Sequence, residues 1–248
     1  MKQRYFFECA YDGTGFSGWQ RQPNAETVQQ TIELMLSRRF NNSDIQILGC
    51  GRTDAGVHAN QFYFHVDLAK DLNLELLKYK LNKMLPTSIV IFDILPVLND
   101  QHARFDASFR SYKYFIHTRK NPFLEKYSWY FPHSLDLEKM NQGAQLLLGE
   151  KDFTSFSKLH TDVFTNICNL TRAEWREVGN DQIVFEITAN RFLRNMVRAV
   201  VGTLIEVGQG NLIPEDIKEI LEAHDRSSAG ISVPAKGLFL SSIKYPFI

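Results

Sequence analysis

The strongest constraint on the fold is the order in which the hydrophobic period of the chain changes. "RYFFECAYDG" (Arg4–Gly13) reads as a strand closed by an Asp-Gly turn, and "ETVQQTIELMLSRRF" then puts Val28, Ile32, Met35, Leu36 and Phe40 on one helical face. "DIQILG" and "QFYFHVDL" return to strand character, "LNLELLKYKLNKML" is a second helix stopped by Pro86, and "SIVIFDIL" is a further strand. Strand, helix, strand, strand, helix, strand is the split βαβ order of a ferredoxin-like unit. After Asn99-Asp100 the order restarts. "SYKYFIHT" sets Tyr112, Tyr114 and Ile116 on one strand face, and "LEKMNQGAQLLLG" is a helix with Gly149 at its end. "LTRAEWREV" and "QIVFEITA" are two strands joined at Gly179-Asn180. A long apolar stripe follows in "RFLRNMVRAVVGTLIEVG", then a short helix opening at Pro214, and "GLFLSSIKY" makes a last strand. The expected fold is therefore α+β: two ferredoxin-like domains, residues 1–100 and 101–248, with antiparallel sheets side by side and an active-site cleft between them.

A chain of 248 residues can hold a core of this size without disulfide or metal. Its three cysteines, Cys9, Cys50 and Cys168, form no CxxC, which points to a reducing, cytoplasmic setting and away from a structural zinc site. No apolar run reaches the ~18 residues of a membrane span, and the first residues do not read as a signal peptide. Lys plus Arg equals Asp plus Glu at 28 each, so net charge does not announce a polyanionic partner. The cations are clustered all the same. Asp100 to Lys120 holds five Lys/Arg against two Asp, and Arg191, Arg194 and Arg198 follow one another with no acid between them.

Chemistry concentrates in "GCGRTDAGVHANQ" (Gly49–Gln61). By itself Asp54 in Arg-Thr-Asp-Ala-Gly reads as ordinary turn or capping chemistry. Against that, Gly51 and Gly56 bracket it, Arg52 and His58 add donors around one carboxylate, and the loop joins two apolar strands that can hold a side chain out. His58 has no HxxxH, CxxC or nearby second acid with which to bind a metal, and no G-x-S-x-G elbow occurs. The acid would then act alone, as nucleophile or general base. The helix expected over Ala189–Gly208 puts Arg191, Arg194 and Arg198 at i, i+3, i+7, one stripe opposite its apolar face. Such a stripe is either a solvated face or a set of contacts to phosphates or to a carboxylate. In "RFDASFRSYKYFIHTRK" aromatic residues alternate with Arg104, Arg110, Lys113 and Arg119, a pattern that serves a sheet face or grips unstacked bases.

Five blocks together resemble the TruA-type tRNA pseudouridine synthases along nearly the whole chain. They are "YDGTGFSGWQRQPNAETVQ", "GRTDAGVHA", "HARFDASFRSYKY", "FLRNMVRAVVGTL" and "PAKGLFLSSIKYP", in the family's order. The resemblance implies isomerisation of uridine to pseudouridine at positions 38–40 of the tRNA anticodon stem-loop, without metal or organic cofactor, by a cytoplasmic homodimer. It implies Asp54 as the catalytic carboxylate, Tyr112 as the residue packed on the target base and a candidate acceptor of its C5 proton, and Arg198 as the partner of the acid. Leu238 would line the uracil pocket and Arg52 would help extrude the base. Arg21, His58, Arg110 and Arg194 are further candidates for substrate contact. The chain departs from the family pattern at Cys50, Ser232 and Val233, none of which is expected to touch a catalytic position.

Overall fold

The computed structural model describes residues 2–158, 164–179 and 181–248. They form a mixed α/β fold rich in strands and poor in helices, packed as two compact units. One comprises Met1–Ser108 and Leu240–Ile248, the other Phe109–Phe239. A single cut near residue 100 follows the order of elements along the chain. Packing adds the return of the final strand to the first unit.

In the first unit, β1 (Lys2–Tyr11) pairs antiparallel with β3 (His58–Ala69) and with β4 (Ile89–Val97), and β2 (Leu48–Gly49) pairs with β3. α1 (Val28–Phe40) falls between β1 and β2, and α2 (Leu74–Met84) between β3 and β4. Both faces of β1 are buried, as the unbroken run Tyr5-Phe6-Phe7 requires of a strand whose side chains alternate. On one face Phe7 stacks on Phe64 at 4.8 Å and Trp19 on Phe62 at 3.9 Å. On the other, Phe6 meets His65, Tyr245 and Phe247, so the C-terminal residues complete the core. The Asn82 side-chain amide ties α2 to β4 by exchanging two 2.8 Å hydrogen bonds with the Ile91 backbone.

"DIQILG" contributes only two residues to the ladder. The backbone groups of Ile47 bond to α1 side chains instead: its N–H donates to Glu33 Oε1 (3.1 Å) and its carbonyl accepts from Gln29 Nε2 (3.1 Å). Gln29 and Glu33 are accordingly buried on the helix face that otherwise carries Val28, Ile32, Met35 and Leu36. Phe40, expected on the same face, is only half-buried.

The second unit is built on β5 (Phe109–His117), β6 (Trp129–Tyr130), β7 (Gly149–Asp152), β8 (Ile167–Glu177) and β9 (Gln182–Ala189), with strand order β5-β9-β8-β7. The ladders are antiparallel except that β6 runs parallel to β5. Register aligns Tyr114, Phe185 and Trp175 across three strands, and all three are buried. α3 (Leu137–Gln145) lies along β8, held by Asn141, whose amide bonds both backbone groups of Trp175. Its helical bonds give way to tighter i→i+3 bonds at Leu146–Leu148, so Gly149 (φ +89°) opens β7 instead of capping the helix directly. Lys113, Arg172 and Arg176 gather around the Glu186 carboxylate, at 3.3, 2.7 and 2.8 Å, on the sheet face opposite Tyr114. The second residue of the turn expected at Gly179-Asn180 lies outside the described residues.

α4 (Met196–Gly208) is buried almost all round, with only Arg198 and Glu206 reaching partial exposure. α5 (Asp216–Ala223) follows, its first turn closed by the Ile217 N–H on the Pro214 carbonyl. The last strand is β10 (Leu238–Lys244). No helix among the described residues is long and apolar enough to cross a membrane.

The single long helix expected from Ala189 to Gly208 is not formed. β9 runs through Ala189, and Asn195 takes the left-handed conformation (φ +67°, ψ 0°), where a right-handed helix cannot continue. Arg191 and Arg194 therefore lie in a loop, and the i, i+3, i+7 arginine stripe does not exist.

Candidate active site

The proposed site residues fall on both units. Arg21, Arg52, Asp54 and His58 belong to the first; Arg110, Tyr112, Arg194, Arg198 and Leu238 belong to the second.

In the first unit the Asp54 loop is fixed by its backbone. The Val57 N–H bonds the Asp54 carbonyl at 3.1 Å, and Gly56 between them has φ +76°, the geometry of a type II turn with glycine at its third position. Asp54 is thus a turn residue, as its local sequence suggests, but the turn is clamped from outside. The Trp19 N–H donates to the Thr53 carbonyl (3.2 Å), the Gly56 N–H to the Phe16 carbonyl (3.2 Å), and the Thr53 hydroxyl meets the Tyr11 hydroxyl at 2.9 Å. Gly18 (φ +89°) lies so close that a Cβ there would sit 2.4 Å from the Thr53 carbonyl oxygen. Asp54 itself is half-buried and Arg52 is exposed.

His58 is placed differently from the expectation of substrate contact. It is 1% exposed, and its Nδ1 accepts from the Gly13 N–H at 3.1 Å, which makes it part of the scaffold beneath the loop. Gly13 in turn approaches the Val57 carbonyl too closely for any Cβ. Arg21 stands beside Glu33 with Nη1 3.6 Å from the carboxylate, and its own side chain is 63% exposed. Sequence reasoning misses the clamp residues Tyr11, Gly13 and Gly18, whose one signal is the crowding of Gly13, Gly15 and Gly18 into "DGTGFSG".

In the second unit, Tyr112 is half-buried on β5 with its ring edge-on to Phe192 at 5.0 Å. Lys113, its neighbour, points to the opposite sheet face, into the Glu186 cluster. Arg110 donates from Nη1 to the Asn190 carbonyl at 3.0 Å, and Arg194 is exposed in the loop before α4.

The segment Gly230–Leu238 crosses α4 in direct backbone contact. A Cβ on Gly202 would lie 1.9 Å from the Ile231 carbonyl oxygen, and one on Gly230 would strike the Gly202 and Thr203 backbone. This closeness lets Arg198 reach the strap: its Nε donates to the Val233 carbonyl at 2.6 Å, and the Val233 N–H donates back to the Arg198 carbonyl at 3.3 Å. Ser232 Oγ accepts from Asn195 Nδ2 and from Arg226 Nη2. Val233 therefore does touch a proposed catalytic residue through its backbone, a correction to its expected isolation, whereas Ser232 bonds Asn195 and Arg226. Leu238, 5% exposed, ends the strap. Among the described residues no three His, Cys, Asp or Glu side chains are grouped so as to hold a metal ion.

The family pattern described as tRNA pseudouridine synthase matches residues 9–106 and 144–246. The chain belongs to the tRNA pseudouridine synthase family. Among curated relatives, proteins named tRNA pseudouridine synthase A from Porphyromonas gingivalis and Bacteroides thetaiotaomicron are 50% and 49% identical over 246 residues. Both alignments span 98% of this chain, and they span 97% and 91% of the relatives. The protein of the same name from Brevibacillus brevis is 43% identical over 240 residues, 95% of this chain and 97% of the relative. Asp54, Arg198 and Leu238 lie inside the spans matched by the tRNA pseudouridine synthase pattern, as do the clamp residues Tyr11, Gly13 and Gly18. Tyr112 lies between the two spans.

Proposed function

We propose that this chain isomerises uridine to pseudouridine at positions 38–40 of the tRNA anticodon stem-loop, with Asp54 as the nucleophile. Asp54 attacks the target nucleotide as the N-glycosidic bond breaks. The freed uracil turns and rejoins the ribose through C5 as the bond to Asp54 breaks and the carboxylate is released; the C5 proton then leaves with Tyr112 as its acceptor, and N1 takes up a proton. Arg198 pairs with the carboxylate through a charge-assisted hydrogen bond. Leu238 lines the uracil pocket, while Arg52 helps extrude the base, a step that costs a few kcal/mol and is offset by contacts to the flipped nucleotide. Arg21, Arg110 and Arg194 contact the RNA. The protein works in the cytoplasm as a homodimer of chains that each hold two ferredoxin-like domains, so two copies of each cationic cluster meet one tRNA despite a net charge of zero.

What supports this reading is the holding of Asp54. A carboxylate that attacks carbon must be fixed to within a fraction of an ångström, and the Asp54 turn is tied through Trp19, Phe16 and Tyr11 with a glycine pressed against it. The test is release of tritium from tRNA labelled at uridine C5. Wild-type protein is expected to release it and Asp54→Ala to release none; equal release by both would refute the assignment.

A further inference from the structure

We propose that Tyr114 is a positioning residue for this reaction, acting through the Gly230–Leu238 strap on the Arg198 guanidinium. The inference rests on the proposed pairing of Arg198 with the catalytic acid.

Tyr114 is fully buried, two residues beyond Tyr112 and on the same face of β5. Its hydroxyl donates to the Pro234 carbonyl at 2.8 Å. Its ring lies against Gly237, where a Cβ would stand 2.9 Å from Tyr114 Cζ. Burial pushes the pKa of this phenol far above its ordinary value, so it remains a neutral hydrogen-bond donor at every working pH. The residue directly before Pro234 is Val233, whose carbonyl receives Arg198 Nε. Proline fixes its own φ and restricts the residue before it, so a carbonyl pinned at Pro234 limits where the Val233 carbonyl can point. At the near end of the strap, the Gly230 N–H bonds Thr203 Oγ1 at 2.9 Å and Ser232 Oγ receives Asn195 and Arg226. The strap is thus anchored on both sides of Val233, and the Val233 carbonyl that aims Arg198 is held by these anchors as well as by the bond of the Val233 N–H to the Arg198 backbone. Leu238, four residues beyond Pro234, is carried by the same tether.

Tyr114→Phe removes one hydroxyl and keeps the ring that fills the core. With the Pro234 carbonyl unbonded and Arg198 less well aimed, kcat on tRNA should fall about five- to tenfold, the scale of one hydrogen bond, with KM unchanged. The deciding measurement is a cycle with Arg198→Lys. If Tyr114 works through Arg198, Tyr114→Phe lowers kcat in the wild-type background but adds nothing in the Arg198→Lys background. An equal fall in both backgrounds, an unchanged kcat, or a loss confined to KM would overturn the proposal. Ser232→Ala, which loosens the other anchor, should show the same dependence on Arg198 and gives a second route should Tyr114→Phe fold poorly. If Arg198→Lys alone keeps full activity, the pairing of Arg198 with the acid fails, a result distinct from failure of the tether.

Discussion

Gly18→Ala tests whether the clamp on the Asp54 loop matters to catalysis. Gly18 has φ +89°, a region that costs an L-residue about 1–2 kcal/mol. The added Cβ would stand 2.4 Å from the Thr53 carbonyl oxygen and 3.2 Å from the Asp54 carbonyl carbon. The first distance is about 1 Å inside ordinary contact, and the obstacle is backbone, with no rotamer to retreat into. That carbonyl is also the acceptor of the Trp19 N–H, so relief means losing this bond, worth about 1 kcal/mol, or moving the Asp54 turn. The expected destabilisation is about 2–4 kcal/mol, or roughly 5–12 °C in Tm for a chain of this length. A shift of about 1 Å in the reacting carboxylate should lower kcat about 100-fold. Gly51→Ala is the control: no atom lies within 4 Å of its Cβ and its φ is not positive, so it should leave Tm and kcat near wild type. Thermal melts and tritium release at saturating tRNA read both quantities. Gly18→Ala with wild-type Tm and kcat would refute the clamp, as would Gly51→Ala behaving like Gly18→Ala.

Acid should weaken the first unit through His65. Burial, and then Arg4 and His102, lower this imidazole to about 4, and its Nδ1 accepts from the Ala103 N–H at 3.1 Å, a bond that protonation would break. The unfolded chain takes up the proton near pH 6.5 and the folded one near 4, so stability is intact above pH 6.5 and up to about 3 kcal/mol is lost as pH falls between these values. His65→Gln should flatten the fall in Tm across that window, and an unchanged slope would assign the acid sensitivity elsewhere. Arg194→Ala should weaken tRNA binding and reduce the slope of log affinity against log salt by about one, as for loss of one phosphate contact. An unaltered slope would take Arg194 out of the RNA interface.

What the sequence made legible was local. The switch from period 2 to period 3.6 placed β1, α1, β3, α2 and β4 in order, and alternation correctly put Tyr114 and Ile116 on one face of β5 with Tyr112. The start of α4 is not legible in the sequence because Phe192, Leu193 and Met196 continue a helical spacing across Asn195, whose left-handed backbone leaves no trace in hydrophobicity. "DIQILG" looked like a full strand because its apolar residues alternate, whereas its hydrogen bonds are claimed by Gln29 and Glu33 from a helix several residues upstream. At the site, "GRTDAG" marked Asp54, but what holds it comes from Gly13 to Trp19, and what holds Arg198 comes from a strap more than 30 residues later. Long-range backbone contacts at Gly18, Gly202 and Gly230 appear in sequence only as glycines, which turns and flexible loops also use.

The central claim is that the Asp54 carboxylate carries the chemistry. Asp54→Asn keeps size and shape and removes the nucleophilic charge, so folding and tRNA affinity should stay near wild type. Single-turnover formation of pseudouridine in an anticodon stem-loop transcript measures that step directly. The account predicts conversion by the wild-type protein and none above background by Asp54→Asn while it still binds the RNA; conversion by Asp54→Asn at the wild-type rate would contradict it.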